Sequence, residues 1–327
     1  MGVDLSLGIT TSYPIELGVY MASTVDKYNL KSVWIRDDIG VPRDVYAYTS
    51  LILASSKKAE AGISIVNPFY YNLSTIARSS ATLVELHGER LRLGLRVETQ
   101  ETLNKMDVTH TQTMDELRKT IEALRNIFKG GTESLDTPHY KLINYSLWDR
   151  FKVPIILEVR SLELFELASE NADGVIISGP KPYLEDASKL FMKAKQSHGL
   201  KLLGWLPSAV LTEGGSDIPD FAAKIVAIAA ADTPNRVLEA SGIDTGKIKL
   251  VRQCLLLEDW NRVVRLVDEG LLDQFLFYGS PTSLMDKLWN WARSNGLDEV
   301  IFGPPYGLDP EKSISEAASA WVELNSP

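Results

Sequence analysis

Short apolar runs alternate with longer stretches of helical periodicity along most of the chain. The runs at 5–9, 32–35, 62–66, 91–95, 153–157, 174–178, 201–206 and 299–302 read as strands. The segments between them read as helices. In the fourth gap Met114, Leu117, Ile121, Leu124 and Phe128 fall on one helical face. Thr113 and Glu116 have the spacing of a capping box at its start. A polar stretch over 130–148 carries no clear period. From 218 to 273 nearly everything reads helical, so the last strand arrives late. Asp309-Pro310 has the form of a cap and first position of a final helix.

Eight apolar strands joined by helical crossovers predict an α/β fold with parallel pairing, because parallel neighbours need a long crossover. The arrangement that suits eight such units is a closed (β/α)8 barrel, a TIM barrel, with a helical insertion between strands 7 and 8. A doubly wound open sheet is the rival arrangement. The chain shows no internal repeat, low-complexity tract or Gly/Ser linker, which predicts a single domain over 1–327.

Composition narrows the function classes. The 327 residues are 45% hydrophobic and 24% charged, as in ordinary globular proteins. Lys+Arg 34 against Asp+Glu 43 gives a net charge of −9. Such a chain does not steer itself onto nucleic acid or anionic lipid, although a local basic pocket is compatible with it. Cys254 is the one cysteine, so a Cys-based metal site is ruled out. No apolar run approaches the ~20 residues of a membrane span. A cytoplasmic protein with a small-molecule substrate is the expectation.

In a barrel the site is built from the loops after the strands. Those places read Thr10-Thr11-Ser12, Arg36-Asp37-Asp38, Asn67-Pro68 with Tyr70, Arg96 with Glu98, Glu158-Val159-Arg160, Ser178, Pro207-Ser208 and Gly303 to Gly307. This rim is polar, of mixed charge and free of histidine, so histidine acid–base chemistry is not expected. Arg96 and Arg160 admit two readings. They grip a phosphate or carboxylate, or they pair with neighbouring carboxylates and close the mouth.

Several stretches resemble the bacterial-luciferase-like superfamily, and within it the deazaflavin-dependent methylenetetrahydromethanopterin reductases. They are Val33-Trp34-Ile35-Arg36-Asp37-Asp38, Ile65 to Tyr70, Thr75 to Ser79, Leu91 to Leu95, Val153-Pro154-Ile155, Ala172 to Ile176, and Phe302 to Gly307. They stand in the family's order over almost the whole chain. The resemblance implies a hydride-transferring oxidoreductase that uses an F420-type deazaflavin, with an FMN-dependent luciferase-like monooxygenase as the alternative. It implies Thr10, Asp37, Asn67, Pro68, Arg96, Arg160 and Ser178 around the coenzyme, and Glu98 or Asp38 as the acid. It also implies a bulge with a non-prolyl cis bond near Ser64-Ile65, and a homodimer paired through the helices beside strands two and three.

The departures from that family are local. Glycine-rich turns are replaced by Arg96-Val97-Glu98-Thr99 and Glu158-Val159-Arg160-Ser161, and Thr10 stands where relatives carry a glutamate. Glycine permits close backbone approach, so these changes reshape the pocket. They leave open a second class of function: a barrel without catalysis that binds a partner or ligand and needs no coenzyme.

Overall fold

A computed structural model describes residues 2–38, 43–96, 113–160, 164–211 and 219–325, apart from the side chains of 65, 194 and 196–198. Eight of its strands form the barrel: β1 (Asp4–Thr10), β2 (Ser32–Arg36), β3 (Glu60–Val66), β4 (Leu91–Leu95), β7 (Ile155–Val159), β8 (Gly174–Ile177), β9 (Lys201–Val210) and β11 (Glu299–Tyr306). Each pairs in parallel with its neighbour, and β8 pairs with β9 to close the ring. That last pairing, Gly174↔Lys201 to Ile177↔Gly204, excludes the open sheet.

Helices α1 (Ile15–Tyr28), α2 (Val45–Ser55), α3 (Leu73–His87), α4 (Met114–Phe128), α5 (Phe165–Asn171) and α6 (Lys181–His198) cover the outside. Local chemistry sets several of their starts. Asp44 accepts from Ala47 N–H, Asn72 accepts from Ser74 N–H, and both halves of the Thr113–Glu116 capping box are made. The expected insertion is present. It comprises α7 (Asp220–Ala231), α8 (Asn235–Ala240), α9 (Thr245–Leu256), α10 (Trp260–Leu266) and α11 (Glu269–Phe275). These pack around a small core of their own, including Ala222, Val226, Ile248, Val251, Val263 and Phe275. The short strand β10 (Phe277–Gly279) then pairs with the far end of β9, and α12 (Pro281–Ser294) and α13 (Pro310–Asn325) complete the outer ring.

Two details differ from the sequence expectation. The polar stretch 130–148 folds as an antiparallel hairpin of β5 (Glu133–Asp136) and β6 (Lys141–Tyr145). Strands of four and five residues with one wet face leave too short an alternation to read. Strands β9 and β11 also run on past 206 and 302, through Val210 and Tyr306.

The barrel interior is filled. Trp34, Ile156, Ile176, Leu203, Trp205 and Ile301 form an inner cluster separate from the main core between strands and helices. Two tryptophans fit inside because glycines face them. A Cβ on Gly62 would lie 2.1 Å from the Trp34 ring, and one on Gly8 would lie 2.7 Å from Ile301.

Below this layer, at the N-terminal ends of the strands, sits a buried ion cluster. Glu299 accepts from Ser6 Oγ at 2.5 Å, Ser32 Oγ at 3.1 Å, Trp34 Nε1 at 2.8 Å and Arg92 Nη1 at 2.6 Å. Arg92 also lies 3.1 Å from Glu60 and stacks 4.6 Å from the Trp34 ring centroid. Burial would raise the Glu299 carboxyl, but Arg92 and these donors hold it below its ordinary value.

The third strand carries the expected bulge. Its register slips between Ile63 and Val66 against β4, and between Ile35 and Arg36 against β2. A bulge re-aims the residues after it. The cis bond expected with it falls at Ser64-Ile65, where the structure describes the strand backbone of Ile65 and not its side chain.

Candidate active site

The C-terminal ends of the strands form a mouth whose floor is the tryptophan layer. On one side stand β1, β2 and β3. Thr10 Oγ1 lies 2.5 Å from Ser12 Oγ, and Asp38 N–H donates to Thr11 Oγ1 at 2.9 Å. Asp37 accepts from Tyr71 OH at 2.6 Å. Burial together with Asp37 pushes the Tyr71 hydroxyl well above its ordinary pKa, so Tyr71 stays a donor. Tyr13, half-buried nearby, is pushed up to about 12 by burial and by Asp38. Asn67 is buried at the end of the bulge. Its Oδ1 accepts from Phe69 N–H at 2.8 Å, which turns the chain, and Pro68 behind it is buried as well. Asn67 Nδ2 and Ser64 Oγ are buried without a hydrogen-bond partner. Buried polar groups of that kind are rare, and such an atom calls for an explanation.

On the other side stands a cluster of ions. Glu158, fully buried at the end of β7, takes a hydrogen bond from Arg36 Nη2 of β2 and one from Ser178 Oγ at 2.7 Å. Arg96 Nη1 approaches it at 3.6 Å and Arg160 Nε at 3.4 Å. Arg160 also donates to Ser178 Oγ at 2.9 Å and to Asp232 Oδ2 at 2.6 Å. Arg96 Nη1 lies 3.8 Å from the same Asp232 oxygen. Arg36 Cζ lies over the Trp205 ring, 4.7 Å from its centroid. Desolvation alone would raise both carboxyls. The guanidinium groups of Arg36, Arg96 and Arg160 more than offset it and hold Glu158 and Asp232 below their ordinary values. Burial brings Arg36 down to about 10, against the pull of Glu158.

Arg96 and Arg160 therefore do converge, as their strand ends suggested, and both form salt bridges to Glu158 and Asp232. Ser178 joins them. Asp37, Asp38, Thr10, Asn67 and Pro68 belong to the opposite side. Glu98 lies outside the described residues. Of the aromatics on and near the strand ends, Tyr306 and Trp34 are core: Tyr306 is fully buried with its hydroxyl on Gly8 carbonyl, and Trp34 sits inside the barrel. Tyr70 is 41% exposed and remains the aromatic of that set that faces outward. Asp232 was not among the expected residues. It caps the end of α7 in the insertion, so sampling the strand ends does not reach it. Its one sequence signal is the helix break at Thr233-Pro234.

A closed parallel barrel with a helical insertion ahead of its last strand, and a polar, arginine-rich mouth, defines an α/β-barrel protein whose site lies on the strand-end loops. The chain belongs to the luciferase-like monooxygenase family, whose model matches residues 6–299. It is 24% identical over 307 residues to 5,10-methylenetetrahydromethanopterin reductase of Archaeoglobus fulgidus, covering 90% of this chain and 91% of the relative. It is 23% identical over 325 residues to F420-dependent glucose-6-phosphate dehydrogenase of Kineococcus radiotolerans, covering 94% and 92%. Among solved structures, the coenzyme F420-dependent tetrahydromethanopterin reductase of Methanopyrus kandleri superposes with a TM-score of 0.86 at 19% identity, over 100% of both chains. Among the described residues no helix is long and apolar enough to cross a membrane.

Proposed function

We propose that this protein is a single-domain cytoplasmic oxidoreductase that moves a hydride between an F420-type deazaflavin and a small organic substrate. Its reductase and dehydrogenase relatives match it almost end to end. The single observation of the site that carries the reading is the pair of buried, unpartnered donors at the bulged end of β3, Ser64 Oγ and Asn67 Nδ2. A flat heterocycle with carbonyl oxygens on its edge suits two such donors. Ser64, Asn67, Pro68, Thr10 and Asp37 would hold the ring side, and Arg96, Arg160 and Ser178 the anionic side. When bound, the deazaflavin supplies the hydride chemistry, while the protein supplies position and field. In this reading Asp37, whose carboxylate accepts from Tyr71, and Asp38, whose backbone N–H is held by Thr11, would bring two carboxylates to the ring side. Glu98 or Asp38 serves as the proton donor in this reading. Glu98→Gln is then expected to cut turnover with coenzyme affinity unchanged, and unchanged turnover removes Glu98 from that role.

The protein would work as a homodimer through α2 and α3. Helix α2 contains no charged residue, and Leu51 on it and Leu86 on α3 are exposed. Sedimentation of the purified chain checks this.

One observation favours a second reading, a barrel that binds without catalysis: the salt bridges of Arg96 and Arg160 lie across the mouth. Titration with the deazaflavin, and separately with FMN, separates the readings through quenching of Trp205 and the other tryptophans. Saturable binding of the deazaflavin at micromolar concentration is expected. Binding of FMN alone selects the flavin alternative, and binding of neither selects the second reading.

A further inference from the structure

The geometry points to Asp232 as an internal stand-in for a ligand's anion: the arginine cage at the mouth is a subsite for a phosphate or carboxylate group that takes the place of the Asp232 carboxylate. This deepens the function proposed above and rests on its placement of the site.

The cage has fixed members and a removable one. Arg160 is tied to the barrel through Ser178 and Glu158, and these ties remain when Asp232 moves away. Arg36 is tied by Glu158 and stacked on Trp205, and its Nε is buried without a hydrogen-bond partner. Asp232 belongs to no barrel strand. It reaches in from the end of α7, and its side chain is 34% exposed, against 0% for Glu158 and 14% for Arg160. The carboxylate oxygen stands 2.6 Å from Arg160, a charge-assisted hydrogen bond of the kind a phosphate or carboxylate oxygen makes, and 3.8 Å from Arg96, within ion-pair range.

The insertion also holds Asp232 in place deliberately. Arg252 of α9 donates to the carbonyls on either side of it, to Ala231 O and Thr233 O, both at 2.8 Å. A third bond from Arg252 reaches Asn235 Oδ1 at 2.8 Å. The backbone around Asp232 is clamped, and Arg160 Nη1 reaches both its carbonyl, at 3.2 Å, and its carboxylate. A side-chain rotation removes the carboxylate from the cage with α7 in place and leaves the carbonyl on Arg160. The guest is either the phosphate of the bound coenzyme or an anionic group of the substrate itself.

The test uses full-length protein without coenzyme and inorganic phosphate as the probe, at constant ionic strength. Calorimetry reads binding, and the fluorescence of Trp205 beneath Arg36 reports the same event. Asp232→Ala is expected to bind phosphate about tenfold or more tightly than the parent, since it removes a like charge at contact distance. Asp232→Asn keeps the side-chain shape and an acceptor for Arg160, so it shifts affinity the same way with the fold intact. Adding Arg160→Ala to Asp232→Asn is expected to abolish the gain. Equal phosphate affinity in parent and Asp232→Asn, or a gain that survives Arg160→Ala, overturns the inference. Competition assigns the guest. Phosphate that expels the coenzyme marks a coenzyme subsite, and phosphate that binds beside it marks a substrate subsite. Coenzyme binding with no effect of Asp232 sinks this inference alone, while phosphate binding with no coenzyme binding sinks the proposed oxidoreductase alone.

Discussion

The barrel carries a buried glutamate at each end of its interior, and the two are held in opposite ways. At the lower end Glu299 and Glu60 share one guanidinium, that of Arg92, and Glu299 is surrounded by hydroxyl and indole donors. At the mouth Glu158 and Asp232 share three guanidinium groups, those of Arg36, Arg96 and Arg160. The lower cluster is built entirely from strands and the Trp34 ring closes it from above. The upper cluster borrows one of its carboxylates from the insertion. A buried charge must be paired to be tolerated, and both ends obey that rule. Among the described residues, the three guanidinium groups at the mouth face one carboxylate of the barrel strands at that site, Glu158, and the second, Asp232, is the more exposed partner. The lower end fastens the barrel, and the upper end is arranged for exchange, as expected of the two faces of this fold.

The largest effect belongs at the fastened end. Glu299→Ala leaves Arg92 buried with the more exposed Glu60 as its partner and removes the acceptor of two serines and Trp34. A loss of about 3–5 kcal/mol in unfolding free energy is expected. Denaturant titration measures it. Coenzyme affinity of the protein that remains folded should be unchanged, because the Trp34 and Trp205 layer separates this cluster from the mouth.

Glu158→Gln is the matching change above. It removes a charge that Arg36, Arg96 and Arg160 all face, but Arg96 and Arg160 keep Asp232 as a second carboxylate partner. The expected stability loss is smaller, about 2–3 kcal/mol. Phosphate affinity should rise in the same titration used for Asp232, since a like charge is removed. An equal stability loss at the two ends with no gain in anion affinity would erase the distinction between them.

These two clusters also show what was legible in the sequence. The barrel itself was legible, because buried parallel strands leave apolar runs and their crossovers leave helical spacing. Arg36, Arg96, Glu158, Arg160 and Ser178 were legible as mouth residues, because each follows or ends a strand. Their mutual pairing was not, since Arg36 and Glu158 are 122 residues apart and only barrel closure brings them together. Arg92 and Glu299 escaped notice for a related reason. They sit at the starts of strands, where side chains point into the closed lower end, and 207 residues separate them. Asp232 was invisible to any rule about strand ends, because a helix delivers it. The hairpin of β5 and β6 was too short and too polar to show a period.

The acid limb of the stability curve should sharpen the comparison further. A carboxyl whose folded pKa is depressed is protonated more readily in the unfolded chain, so its stabilisation is full above its ordinary value and fades as pH falls through the folded one. Glu158 and Asp232 at the mouth and Glu299 below all shift downward. The lower end also contains an opposing group. Burial and the neighbouring Glu299 raise Asp4, which takes up a proton more readily in the folded protein and so offsets part of the loss. Stability is therefore expected to fall below about pH 4.5, with the mouth contributing most of the slope. Denaturation midpoints between pH 7 and pH 3 test this. Glu158→Gln should flatten the acid limb more than Glu299→Ala does, and the reverse order would place the dominant acid-sensitive charges at the lower end.

The smallest expected effects come from a matched pair of serines. Ser6→Ala and Ser178→Ala each remove one hydroxyl from a buried glutamate, at 2.5 Å and 2.7 Å. Each should lower stability by about 1–2 kcal/mol, the ordinary worth of a hydrogen bond to a charged group. Their other consequences should differ. Glu299 keeps Ser32, Trp34 and Arg92 when Ser6 is lost, so nothing beyond stability should change. Ser178 also accepts from Arg160 Nε, and its loss frees that guanidinium from one of its barrel ties. Arg160 then leans on Asp232 alone at its outer end. Ser178→Ala should therefore hold the internal carboxylate more tightly and weaken phosphate binding severalfold, while Ser6→Ala leaves it unaltered. Calorimetric titration of both variants with phosphate decides the matter, and equal affinities would show that Arg160 needs no serine to stay fixed.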